Sequence, residues 1–154
     1  MTQGCLLWVA EYESSLGILH IQNTNTFEIN DQVEDFCQTL TLLRAHSLRV
    51  IFCGDSDHVC TYQIVCIAKS SRHSRSVARG LLDAKDRLAA KLLGIEGYDY
   101  GEWIALDFGV LIVHIFDSDA YSAFKGDTLW QEYPSLWYSS DREIMDTHST
   151  HVRV

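Results

Sequence analysis

The sequence predicts a small single α/β domain in which helices flank one mixed β-sheet. Two segments repeat their apolar residues at helical spacing, and four short apolar runs of strand length are interleaved with them. The chain has 154 residues, 47% of them apolar, which is enough for one buried core. Nine glycines and a lone proline, Pro134, exclude a collagenous or low-complexity chain. The run from Val110 to Phe116 is interrupted by His114 and is far too short to span a membrane.

Residues 1–29 read as an N-terminal extension. Leu6 to Ala10 and Leu16 to Ile21 are apolar enough for two short strands, and Gln22 to Thr26 is a polar loop. At Asn30 or Asp31 a side-chain oxygen can accept from the free N–H groups of a helix start, with Glu34 near the positive end of the dipole. Val33, Phe36, Cys37, Leu40 and Leu43 then share one face, so a helix is predicted to about Ser47. Leu48 to Cys53 reads as a strand and residues 54–57 as a turn. Tyr62 to Ala68, β-branched and apolar, reads as a strand buried on both faces. Ser70 or Ser71 caps a second helix predicted to reach about Leu93, where Gly94 stops it. Val77, Leu81, Ala84 and Leu88 form its core side, and Arg72, Arg75 and Arg79 the opposite side. Trp103 to Phe108 and Val110 to Phe116, separated only by Gly109, imply an antiparallel hairpin. Ala120 to Trp130 is predicted as a last short helix. The domain proper is thus expected over residues 30–133, followed by a polar tail over 134–154.

Twelve Lys and Arg against 21 Asp and Glu leave a net charge of −9 with histidine neutral. Such a body is repelled by phosphate, which excludes backbone-driven nucleic-acid binding as the main activity and suits basic protein partners instead. Among Lys and Arg the first is Arg44, preceded by six acidic residues. Neither a secretory signal nor an arginine-rich transit peptide is read there. The protein is expected to act where it is made, or the targeting segment is missing from this sequence. Cysteines stand at 5, 37, 53, 60 and 66, an odd count with no C-x-x-C, as expected of reduced, buried thiols. Cys53, His58 and Cys60 match no standard zinc spacing, and no metal or cofactor is expected.

Residues 60–84, CTYQIVCIAKSSRHSRSVARGLLDA, and 96–130, EGYDYGEWIALDFGVLIVHIFDSDAYSAFKGDTLW, resemble the two signature blocks of the Iojap family, the RsfS-like ribosomal silencing factors. The resemblance lies in an ordered set: Tyr62, Ser71-Arg72-His73, Glu96-Gly97, Trp103, Asp107 with Gly109, His114-Ile115-Phe116 and Leu129-Trp130. Thr61 and Val110 stand where the family usually has Asp. Tyr121, Ala123-Phe124 and Gly126-Asp127 replace its usual last-helix residues. The resemblance implies a nucleotidyltransferase-like fold without the catalytic carboxylates and a function without chemistry. Such proteins bind a basic protein, number fourteen of the large ribosomal subunit, on the face that meets the small subunit. They block subunit joining and repress translation, or assist large-subunit assembly in organelles. Bacterial cytoplasm, or the mitochondrial matrix for a eukaryotic source, follows as the expected location.

On this reading Trp103, Tyr100, Phe124, Trp130 and Tyr62 are candidate aromatic contacts, and Glu102, Asp107 and Asp127 would answer Lys or Arg. Arg72, His73 and His114 complete the set, with a minor rRNA contact expected through Arg72, Arg75 and Arg79. Each has a plainer alternative: Trp130 covering the sheet, Asp107 capping the hairpin, His114 bonded locally, the arginines a solvated face. The oligomeric state stays open, a homodimer included. The enzymatic rival is a metal-dependent nucleotidyltransferase using Asp55, Asp57 and Asp107. Asp107-Phe108-Gly109 spells a kinase metal motif, but the glycine-rich loop and catalytic loop that must accompany it are missing from the sequence.

Overall fold

The computed structural model describes residues 27–54 and 60–139. The strands expected at 6–10 and 16–21, Asp55, Asp57, His58 and the end of the tail lie outside the described residues.

The first helix, α1 (Asp31–Leu42), begins where the sequence places it, with Asn30 Oδ1 accepting from the Val33 amide at 2.9 Å. It stops well short of Ser47. Arg44 adopts φ 69°, and the amides of Ala45 and Arg44 return to the carbonyls of Leu40 and Thr41 at 3.0 Å each. This closed helix end is usually built on glycine. Here a residue with a Cβ occupies it, so the sequence carries no stop signal. Glycine at 44 would relieve the left-handed strain, and Arg44→Gly is expected to stabilise the fold by about 1 kcal/mol. The check is a higher urea midpoint at unchanged slope.

Then follow β1 (His46–Phe52), β2 (Tyr62–Ala68), α2 (Ser71–Asp83), β3 (Gly94–Glu96), β4 (Trp103–Asp107), β5 (Leu111–Asp117), α3 (Ser118–Ala123) and β6 (Ser135–Trp137). Ser70 caps α2, accepting from His73 N at 3.1 Å. The helix ends at Asp83, not near Leu93. A second turn closed on Ala89, at φ 51°, follows it and still drops Leu88 into the core at 2% exposure. Gly94 opens β3 instead of ending a helix. The last helix is shorter than expected. It is capped by Asp117 and closed at Gly126, whose amide bonds the Tyr121 carbonyl at 2.8 Å, so Trp130 lies beyond it in turns.

The sheet runs β3-β4-β5-β2-β1-β6, with β2 and β5 parallel and the other pairs antiparallel. The hairpin β4–β5 forms as predicted, with Gly109 at φ 86° in the first position of a two-residue loop. Two expected boundaries move outward. Phe27 is buried and stacks on Phe52 at 5.3 Å, so the packed domain starts before residue 30. Ser135–Trp137, expected in the tail, pairs with β1, whose outer edge would otherwise be open.

Period-2 alternation sends residues to two separate cores. One face packs Ile64, Cys66, Ile104, Leu106, Val113 and Ile115 against Phe36 and Leu40 of α1 and Val77 and Leu81 of α2. On the other face Ile51, Cys53, Cys60, Val65 and Phe116 meet Ala120 of α3 and Trp130. That second face carries the candidate site.

Candidate functional site

Trp103 opens β4 opposite Phe116 of β5, and their rings stack at 4.7 Å and 26°. Phe124, just past α3, lies tilted against the indole at 5.3 Å and is 47% exposed. Trp103 itself is half-buried, so the two rings form an aromatic ledge open to solvent. Tyr121 of α3 sets its edge on Phe116 at 5.6 Å and donates its hydroxyl to Asp127 Oδ1 at 2.7 Å. Burial, first, and that hydrogen bond push the phenol up to about 12. Asp127 stays exposed, as do Glu102 and Tyr100 on the loop entering β4; Tyr100 is 81% exposed. The fold therefore gathers Trp103, Phe124, Asp127 and Glu102 about the start of β4 and the end of α3.

Behind the ledge runs a polar network the sequence did not announce. The Trp103 indole N–H donates to His114 Nδ1 at 3.1 Å, and Gln63 Oε1 lies 2.7 Å from His114 Nε2 and 3.0 Å from the Trp130 indole nitrogen. An indole N–H can only donate, so His114 Nδ1 is bare, Nε2 carries the proton, and Gln63 must present its oxygen to both. The Gln63 amide then donates to Cys53 Sγ at 3.2 Å. His114, expected at the partner surface, is instead 91% hidden, and Trp130, 8% exposed, is just as deeply buried. Both belong to the second core, which leaves them little area for a partner.

Burial pulls His114 down from 6.5 to about 4. A base with a depressed folded pKa favours folding while neutral, so its contribution is complete above about 6.5 and lost as the pH falls towards 4. The loss amounts to about 3 kcal/mol. The stability gap between wild type and His114→Gln is expected to shrink by about that amount from pH 7 to pH 4. Denaturant titrations at several pH values read it.

Other expected contacts are spent on the fold. His73 Nδ1 accepts from the Lys69 amide and Nε2 donates to the Leu43 carbonyl, both at 3.1 Å, so the ring brackets α1 to α2. Tyr62 lies on the opposite sheet face, its hydroxyl donating to the Glu28 carbonyl at 3.3 Å and its ring beside Phe27 and Phe52. Asp107 Oδ1 accepts from the Gly109 amide at 2.8 Å, the hairpin-capping alternative. Of the arginine stripe, Arg75 donates to the carbonyls of Asp99 and Tyr100, and Arg79 to the Tyr98 hydroxyl. Two of the three thus clamp the 98–100 loop onto α2, and Arg72 is exposed with no such bond among the described residues. An open groove of about 740 Å³ lies beside that loop, lined by Leu82, Ile95 and Tyr98 among others.

Two residues missed in the sequence hold the ledge in place. Gln63 is one. The other is Arg49, 4% exposed in β1, whose guanidinium donates to the Gly126 carbonyl at 2.8 Å and the Asp127 carbonyl at 3.4 Å and lies 5.6 Å from the centre of the Trp137 ring. An arginine within a strand-like run was the available signal. Burial raises the thiols of Cys37, Cys60 and Cys66, the last two to about 11 and about 12, so these three stay protonated near neutrality. Among the described residues no group of three His, Cys, Asp or Glu could hold a metal, and no helix is long and apolar enough to cross a membrane.

The fold is shared with two solved structures. A protein from Chromobacterium violaceum superposes with a TM-score of 0.60 at 19% identity, covering 68% of this chain and 87% of that one. A protein from Bacillus halodurans superposes with 0.58 at 18%, covering 70% and 98%. In sequence, the ribosomal silencing factor RsfS of Bacillus subtilis is 29% identical over 76 residues, 49% of this chain and 64% of that protein, so less than two thirds of its length is spanned. RsfS of Haemophilus influenzae is 28% identical over 98 residues, 64% and 96% of the two chains. A mitochondrial Iojap-related protein of Arabidopsis thaliana is 23% identical over 140 residues, 88% and 72%. The family model described as ribosomal silencing factor during starvation matches residues 26–153. The chain belongs to the RsfS family of ribosomal silencing factors.

Proposed function

We propose that this protein binds the large ribosomal subunit through a basic ribosomal protein of the number-fourteen type on the intersubunit face, and that it silences translation by occupying the space the small subunit needs. In an organelle the same docking would serve large-subunit assembly. The single observation that carries this reading is the solvent-open ledge of Trp103 and Phe124 flanked by Asp127 and Glu102, on a member of this family with a net charge of −9. Aromatic anchors supply desolvated contact area, and carboxylates around them answer Lys or Arg. Opposite potentials speed encounter and fix orientation more than they add affinity. An interface of about 1,200–2,000 Å² suffices for a stable complex.

Nothing in such a mechanism requires a transition state to be stabilised. The domain works by bulk: a 17.5 kDa body seated on one subunit excludes the other. Asp107, the third carboxylate of the nucleotidyltransferase alternative, is engaged by the hairpin amide, so no specific observation favours that chemistry. With Arg75 and Arg79 bonded to the 98–100 loop, the minor rRNA contact falls to Arg72.

The experiment is sedimentation of purified protein with separated subunits. Co-migration with free large subunits and a reduced joined fraction are expected, both weakening as salt rises. Protein that stays at the top of the gradient with large subunits in excess would overturn the assignment.

A further inference from the structure

We propose that Gln63 is the positioning residue of the docking ledge: its side-chain oxygen, acting through His114, sets the orientation of the Trp103 indole. The proposal rests on the docking reading above and adds to it a residue that never touches the partner.

Gln63 sits on β2, two strands away from Trp103, with β5 between them. Its oxygen accepts twice, from His114 Nε2 at 2.7 Å and Trp130 Nε1 at 3.0 Å, and its amide nitrogen is occupied by Cys53 Sγ at 3.2 Å. Three constraints therefore fix the amide: two donors that demand the oxygen and one sulfur acceptor on the nitrogen side. That fixed oxygen keeps the imidazole proton on Nε2, which keeps Nδ1 bare, and the bare Nδ1 holds the indole N–H at 3.1 Å.

Without the oxygen, two buried N–H groups lose their acceptor. His114 can then shift its proton to Nδ1, and an Nδ1–H facing the indole N–H would drive the indole away. Among the described residues the Trp103 indole is otherwise held by ring contacts, stacked on Phe116 and tilted 56° to Phe124 and 54° to His114. Ring stacking tolerates sliding and rotation, whereas a directed N–H bond does not. The angle of the anchor is thus decided by a glutamine on the far side of a histidine.

The test uses the full chain and two readouts. In ¹H–¹⁵N spectra, Gln63→Met is expected to move the Trp103 indole resonance and speed its hydrogen exchange about 10-fold, the scale of one lost buried acceptor. In binding to purified large subunits, Gln63→Met is expected to weaken wild type about 10-fold. In a Trp103→Phe background, whose anchor has no N–H, the same change should matter less than about two-fold. A merely structural glutamine would weaken both backgrounds alike. Gln63→Glu keeps an oxygen for both donors and, read at about pH 9 where the imidazole beside the carboxylate is still neutral, should hold the Trp103 resonance near its wild-type position, which decides the matter if the Met variant does not fold. An unmoved indole resonance in Gln63→Met, a displaced one in Gln63→Glu, or equal losses in both backgrounds would overturn the proposal. Failure of wild type to bind large subunits would remove the docking reading instead, while the resonances still report whether Gln63 orients the indole.

Discussion

Trp103→Ala is expected to weaken binding to large subunits by about 30-fold or more, the effect of truncating a central aromatic anchor, while leaving the fold intact. The reason lies in where its contacts are. One face of the indole rests on Phe116, which is itself held from the core side by Tyr121 and Trp130. The opposite side and edge, beside Phe124, remain open. Truncation strips the flat apolar surface from the ledge but takes no support from Phe116 that the second core does not also give. It does free His114 Nδ1, which water can then reach through the gap and bond. Pelleting of large subunits over a concentration series gives the affinity ratio, and far-ultraviolet circular dichroism with a melting curve checks the fold. Unchanged affinity at full folding would move the anchor elsewhere on the surface. Phe124→Ala should cost less, about 1 kcal/mol of binding, because that ring forms the rim and not the centre.

The parts of the fold that were legible follow from local chemistry. Asn30 and Ser70 cap helices because their side chains reach the third amide, and the apolar stripe Val33-Phe36-Cys37-Leu40 names the buried face without reference to anything distant. Gly109 named the hairpin for the same reason. Helix ends were not legible, because Arg44, Ala89 and Lys125 take left-handed conformations that sequence reasoning reserves for glycine. Their carbonyl caps are secured by tertiary packing instead, as with Leu88, whose carbonyl also accepts from Gln32 at 3.3 Å. The three-residue edge strands β3 and β6 carry too few residues for a period to show, and only the partner strand defines them.

The same distinction governs the site. Trp103, Phe124 and Asp127 could be named from residue type and resemblance; the first two rings meet at 5.3 Å, and Asp127 accepts from the Tyr121 hydroxyl. Gln63 could not, since a lone glutamine in an apolar strand announces neither its face nor its partners. Arg49 is similar: its bonds to the carbonyls of Gly126 and Asp127 cross more than seventy residues of chain. Its Nε finds no partner among the described residues, the mark of a cation held mainly by backbone oxygens and an aromatic face.

Trp130→Ala is expected to do the reverse of Trp103→Ala and to lower stability by about 3–5 kcal/mol, about 10–20 °C in melting temperature for a domain of this size. Resemblance pairs the two tryptophans as contacts, yet their surroundings differ. Trp130 is 8% exposed, lies 4.9 Å from the His114 ring and 6.3 Å from Phe116, and donates to Gln63. It covers a sheet face that α3 is too short to cover, since that helix has six residues and buries only Ala120. Truncation opens a cavity over His114 and deprives Gln63 Oε1 of one donor. Trp130→Phe separates the two effects, retaining most of the ring and losing about 1 kcal/mol with the N–H. Measured at a temperature where Trp130→Ala is still folded, its affinity for large subunits should fall far less than that of Trp103→Ala. Equal losses would mean that the docking ledge has no rigidity of its own and that the second core, not the exposed rings, limits binding.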